Sequence, residues 1–118
     1  MKNRIKLYGI PNCGTVKKAR AWLDEHGLEY EFHDYKKLGI DAARLDAWLK
    51  KADWPQLVNR SGMTWRKLDE ARKAAITSAA AAKALMQEQP SVIKRPVVEA
   101  GTKLLVGFDA QRYEEALR

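Results

Sequence analysis

Three features of this chain predict an α/β fold. An apolar stretch, Ile5 to Ile10, passes through Pro11 and Asn12 into a helical pattern and then into an alternating one. A helical block follows between about residues 41 and 90, and after Pro90 a strand–turn–strand pattern leads into a last helix. At 118 residues the chain is long enough to bury a core as one domain without disulfides or metals.

Ile5, Leu7 and the Tyr8 to Ile10 stretch read as a mostly buried strand, and the next segment repeats apolar residues at Val16, Ala19 and Leu23 with Trp22 beside them, the period of a helix. His26-Gly27 closes that helix with a glycine cap. Leu28, Tyr30 and Phe32 then alternate with Glu29, Glu31 and His33, as in a half-buried strand. A connection of this length between two strands predicts a right-handed crossover and parallel pairing. Asp41 is a candidate N-cap ahead of Ala42, Leu45, Trp48 and Leu49, and Pro55 interrupts the pattern. Short pieces around Gln56 to Asn59 and Trp65 to Leu68 precede an alanine-rich helix from about Ser78 to Glu88, whose Ala79 to Ala82 run suits close helix packing. Val97 to Glu99, a turn at Ala100-Gly101-Thr102, and Lys103 to Phe108 form a predicted β-hairpin. Asp109 can cap a final helix carrying Ala110, Tyr113, Ala116 and Leu117 on one side. The resulting order, βαβ, helical insertion, ββα, is the thioredoxin-like, glutaredoxin-type arrangement, a sheet covered by helices.

Cys13 is the only cysteine, so no internal disulfide can form and nothing points to an oxidising compartment. It falls at the predicted start of the first helix. Unpaired N–H groups and the positive end of the helix dipole favour a thiolate there, and a low thiol pKa follows. The competing reading is that a small apolar side chain packs in a core. Gly14 leaves room for close backbone approach. Asn12, Gly14 and Thr15 can together build an anion-binding loop of backbone N–H groups, although Thr15 serves equally well as a helix-capping residue.

The N-terminus, Met1-Lys2-Asn3-Arg4, leads into an apolar stretch too short for a signal segment or a membrane span, so a cytoplasmic protein with no membrane association is expected. Lys and Arg total 22 against 15 Asp and Glu, a formal charge of +7, which suits anionic partners without selecting among them. The basic residues are spread along the chain rather than clustered with exposed aromatics, so direct nucleic-acid binding is not expected. His26, His33 and one cysteine lack metal-ligand spacing. Asp24-Glu25 and Glu114-Glu115 read as solvated charge, and Trp22, Trp48, Trp54 and Trp65 as packing residues. Without an apolar heptad or long unpaired strand, a monomer is the default.

Tyr8-Gly9-Ile10-Pro11-Asn12-Cys13-Gly14-Thr15, Arg60, and Ile93-Lys94-Arg95-Pro96-Val97 together resemble the ArsC-type arsenate reductase family over nearly the whole chain. Thr15 to Ala19, Asn59 to Gly62, Thr64 to Leu68 and Leu104 to Phe108 are most similar to its small Spx/YffB-like branch, described as glutathione-dependent thiol reductases. The resemblance implies that Cys13 is the nucleophile, that Arg60 faces it, and that Arg95 stands beside it ahead of Pro96, with a cis Arg95-Pro96 bond. Arginine supplies a permanent charge and a planar fork of donors for an anion. The family's arsenate reductases are expected to carry a further arginine in the last strand, where this chain reads Leu104-Leu105-Val106-Gly107-Phe108. One of the charges needed for a doubly negative oxyanion is missing.

Val16 occupies the position of a second cysteine in a C-x-x-C pair, so a mixed disulfide at Cys13 needs an external thiol to resolve it, and glutathione is the natural candidate. Two functions follow. One is a glutathione-dependent thiol reductase acting on an anionic or disulfide substrate. The other is a non-catalytic, Spx-like regulator that binds RNA polymerase, as the resemblance to that branch implies.

Overall fold

A computed structural model describes residues 5–118, and the charged segment Met1-Lys2-Asn3-Arg4 lies outside them. The elements follow the order β1 (Ile5–Gly9), α1 (Gly14–Glu25), β2 (Glu31–Asp34), α2 (Tyr35–Leu38), α3 (Ala42–Leu49), α4 (Trp54–Leu57), α5 (Met63–Arg66), α6 (Glu70–Ala75), α7 (Ala79–Glu88), a 3-10 turn (Pro90–Val92), β3 (Val97–Ala100), β4 (Lys103–Val106) and α8 (Ala110–Leu117). They form two compact units, one built from the chain up to Leu38 together with Arg95–Arg118, the other from Gly39–Lys94.

The first unit carries a four-stranded sheet in the order β2-β1-β3-β4. As predicted, β1 and β2 are parallel, with Leu7 opposite Phe32 and Gly9 opposite Asp34. β3 runs antiparallel to β1, placing Val97 beside Tyr8 and Ala100 beside Ile5, and β4 returns antiparallel to β3. Alternate strand residues Ile5, Leu7, Val98, Ala100 and Leu105 share one cluster with Val16, Ala19, Trp22 and Leu23 of α1 and Tyr113 of α8. Fully burying an aliphatic side chain of this size is worth roughly 1.5–3 kcal/mol, so this cluster is what binds α1 and α8 to the sheet. At the end of β1 a Cβ on Gly9 would lie 2.8 Å from Val16 Cγ2. Glycine therefore lets the strand run directly beneath the first turn of α1.

Several local expectations shift. Ladder pairing of β2 begins at Glu31, three residues later than the alternation suggests, because Leu28 and Tyr30 pack against the core cluster without joining the ladder. His26 takes the C-cap position of α1, and Gly27 follows with φ of +65° while its N–H and that of Leu28 reach back to the carbonyls of Asp24 and Leu23. β4 stops at Val106. Gly107 N–H turns instead to the Pro96 carbonyl at 2.8 Å, and Phe108 packs edge-on against Tyr113 at 5.0 Å. Asp109 caps α8 as expected, accepting from Arg112 N–H at 3.1 Å.

The second unit is helical. Asp41 caps α3 through Arg44 N–H at 2.7 Å, as its sequence position predicts. Asp69 does the same for α6 through Arg72 N–H, and Ser78 caps α7 through Ala81 N–H. Pro55 opens α4 rather than merely breaking a helix, a position where its missing N–H costs nothing. An ion pair joins Lys83 of α7 to Asp46 of α3 at 2.8 Å. The chain leaves this unit alongside α4, with Asn59 N–H bonded to the Val92 carbonyl and Lys94 N–H to the Leu57 carbonyl. The alanine run is only partly a packing surface: Ala82 is fully buried while Ala79 and Ala80 are exposed, so intrinsic helix propensity explains the first two. Of the tryptophans, Trp22 and Trp48 are buried, and Trp54 and Trp65 are half-buried. Among the described residues no helix is long and apolar enough to cross a membrane.

Candidate active site

The site grows from the C-terminal ends of the parallel strands. β1 ends at Gly9, and Pro11-Asn12 carry the chain out to Cys13, which is the N-cap residue of α1 with extended backbone, φ −142° and ψ 125°. Its carbonyl accepts the first helical bond, from Lys17 N–H at 2.9 Å. The capping position thus belongs to Cys13 and not to Thr15, which lies two residues further in, as the second residue of the helix. Cys13 is partly exposed and sits at the margin of the core cluster rather than within it, so the packed-hydrophobe reading does not describe it.

Partial burial pushes the Cys13 thiol up, and this is the largest single influence on it. The backbone N–H of Val16, a hydrogen bond from the Arg95 guanidinium and the N–H of Thr15 act the other way, and together they bring the thiol below its ordinary value. The helix start contributes through individual N–H groups aimed at sulfur, the pattern expected for an activated cysteine. Asn12 and Gly14 are exposed, and a Cβ added to Gly14 would meet no other atom of the chain within 4 Å. The helix start is therefore uncrowded at Gly14.

Arg95 stands where the chain leads into β3, and its bond to Pro96 is cis, the geometry the resemblance implies. Pro96 is buried and leads into β3, whose first residue, Val97, lies beside Tyr8 of β1. The guanidinium is half-buried. That burial works against its charge, but the Tyr35 phenol and the Cys13 sulfur hold it, and the balance favours the charged form more strongly than usual.

Tyr35 was not among the residues the sequence singled out. It is fully buried, follows directly on β2, and shares a hydrogen bond with Arg95. Burial drives its phenol well above the usual tyrosine value, with Arg95 pulling weakly in the other direction, so the group stays neutral at any working pH. Its signal was topological. In a parallel pair the residues just past the two strand ends share one edge of the sheet, so the residue after β2 falls beside the loop that follows β1.

The structure thus brings Cys13, Thr15, Arg95 and Pro96 together with Tyr35. Arg60 lies in the helical unit between α4 and α5, exposed, with its guanidinium 5.5 Å from the centre of the Trp54 ring, a cation–π distance. Among the described residues no three His, Cys, Asp or Glu side chains are grouped as a metal site would need.

The model of the ArsC family matches residues 8–116. A solved structure called YFFB (PA3664) protein is 53% identical, covering 97% of this chain and 99% of its own, with a TM-score of 0.92. An arsenate reductase (ArsC) related protein from Brucella melitensis is 51% identical, covering 100% of this chain and 96% of its own, with a TM-score of 0.75. More distantly, the global transcriptional regulator Spx of Listeria innocua is 24% identical over 107 residues, 89% of this chain and 80% of its own. With the thioredoxin-like sheet, the N-terminal cysteine of α1 and a family match spanning almost every described residue, the chain belongs to the ArsC family.

Proposed function

We propose that this protein is a glutathione-dependent thiol reductase that works through a single cysteine. The observation that carries the reading is the pairing of Arg95 with Cys13 at the N-cap of α1, which favours the thiolate over the thiol, in a chain with no second cysteine. The Cys13 thiolate attacks the glutathione sulfur of a mixed disulfide R–S–S–G, that S–S bond breaks, and the leaving thiolate takes up a proton. A second S–S bond now joins Cys13 to glutathione. One external glutathione thiolate attacks the bound glutathione sulfur, releasing oxidised glutathione and the Cys13 thiolate. The protein itself is neither oxidised nor reduced over the cycle. Arg95 supplies charge to the thiolate and a donor for an anionic substrate group, and the Asn12-Cys13-Gly14-Thr15 loop is a candidate for holding a glutathione carboxylate.

The register of β4 supports a disulfide over arsenate as the electrophile. Its one basic residue, Lys103, pairs with Ala100 at the end of the sheet remote from Cys13, and its amine donates to the Ala116 carbonyl at 3.2 Å. The residue at the near end is Val106, opposite Val97. No basic side chain of β4 stands at that end to pair with a doubly negative oxyanion.

Incubation with oxidised glutathione, followed by mass measurement of the wild type and of Cys13→Ser, tests the reading, with turnover assayed on a glutathione mixed disulfide and on arsenate. We expect an adduct in the wild type alone and turnover of the mixed disulfide in preference to arsenate. No adduct at neutral pH would remove the reactive thiol. The similarity to Spx favours one other reading, a regulator that contacts RNA polymerase and whose Cys13 adduct alters that contact. An adduct with no turnover would support it.

A further inference from the structure

We propose that Tyr35 is a positioning residue for Cys13: its buried hydroxyl takes one arm of the Arg95 guanidinium and so keeps another arm on the sulfur. The inference rests on the reading of Cys13 as the working thiol.

Three adjacent strands bring these groups to one edge. Tyr35 follows β2, Cys13 follows β1 by a short loop, and Arg95 precedes β3, which runs the opposite way. Arg95 is hydrogen-bonded to both Tyr35 and Cys13, so the guanidinium spans the gap between the two strand ends. A planar fork can make both bonds at once, which an ammonium cannot do with the same geometry. The nature of the second partner matters as much as its place. A carboxylate on Arg95 would neutralise the charge that the thiolate needs, whereas a phenol that stays protonated orients the guanidinium and leaves that charge for sulfur. The neighbouring carboxylate, Asp34, has its Oδ1 on the N–H groups of Lys36 and Lys37 at 3.1 and 3.2 Å, where it caps α2. The core gives Tyr35 no freedom to leave, since it is 0% exposed.

The test is the pH profile of Cys13 alkylation by iodoacetamide, a neutral reagent that needs no glutathione. Tyr35→Phe keeps the buried ring and should raise the midpoint by about half to one unit, the scale of one lost hydrogen bond. Arg95→Ala should raise it at least as far, and adding Tyr35→Phe to Arg95→Ala should change nothing more, because Tyr35 acts through Arg95. Tyr30→Phe is the matched control. It also loses a hydrogen bond from an arginine, Arg20 Nε at 2.9 Å, at the other end of β2, and should leave the midpoint where it is. Arg95→Lys keeps the charge but not the fork, and should raise the midpoint even if Tyr35→Phe folds poorly. An unmoved midpoint in Tyr35→Phe or in Arg95→Lys, or an equal shift from Tyr35→Phe with and without Arg95, would overturn the inference. Mixed-disulfide turnover is scored separately. Its absence with the predicted shifts intact overturns the reductase reading and supports the role of Tyr35.

Discussion

Because the folded chain holds the Cys13 thiol below its ordinary value, protonation and folding are linked at this residue. A depressed pKa adds stability that is complete above the unfolded thiol's pKa and is lost as pH falls through the folded one. Wild type should therefore gain stability relative to Cys13→Ser as pH rises across that interval, and urea denaturation at stepped pH will read the difference; parallel curves for the two proteins would contradict it. Gly14 separates folding from ligand binding. Its Cβ would enter empty space, so Gly14→Ala should hold or raise stability by up to about 1 kcal/mol in a helical position. The same methyl group stands where a ligand over the helix start would lie. Adduct formation with oxidised glutathione should slow while alkylation by the smaller iodoacetamide keeps its rate.

Among the elements, the β1–α1 junction is where packing and chemistry meet. Gly9→Ala would force a Cβ to within 2.8 Å of a stiff, β-branched valine in the first helical turn, an overpacking expected to cost about 1–3 kcal/mol and measurable by urea unfolding. Removing a cap is milder: Asp109→Ala should cost roughly 1 kcal/mol and expose α8 first to hydrogen exchange. Substitution on β4 addresses the substrate. Val106→Arg puts a guanidinium at the near end of the strand and should increase arsenate turnover relative to the wild type, whereas an arginine at Lys103, remote from Cys13, should not. The long elements were legible because β1, α1, the hairpin and α8 each carry enough residues to display a period. α2, α5 and α6 span four to six residues, about one turn, which cannot show a repeat; α5 was glimpsed through Trp65, while α2 and α6 went unread. For α6 the overlooked sign was Asp69, a capping residue of the same kind as Asp41.

Over the molecule as a whole, a formal charge of +7 acts on anything negatively charged that approaches. Reaction of Cys13 with oxidised glutathione should slow several-fold as salt rises toward about 1 M, where the screening length falls to roughly 3 Å, while iodoacetamide alkylation stays level. Equal salt dependence of the two would mean that charge plays no part in capture. The candidate site was half visible from sequence for a related reason. Cys13 and Arg95 stand in recognisable local motifs, but Tyr35 lies sixty residues from Arg95 and becomes its neighbour only through strand order β2-β1-β3, a non-local pairing that no window of sequence contains.

If Cys13 exchanges with glutathione as proposed, its being the only cysteine sets the form of its response. One thiol exchanging with oxidised glutathione releases one reduced glutathione, so the fraction carrying an adduct follows the simple ratio of oxidised to reduced forms. A dithiol closing its own bond would release two, and its oxidation would vary with the square of the reduced concentration. Diluting the whole pool at constant ratio would oxidise such a pair and leave this chain unchanged. On the proposed exchange with glutathione, valine at position 16 would make the protein a gauge of proportion rather than of amount.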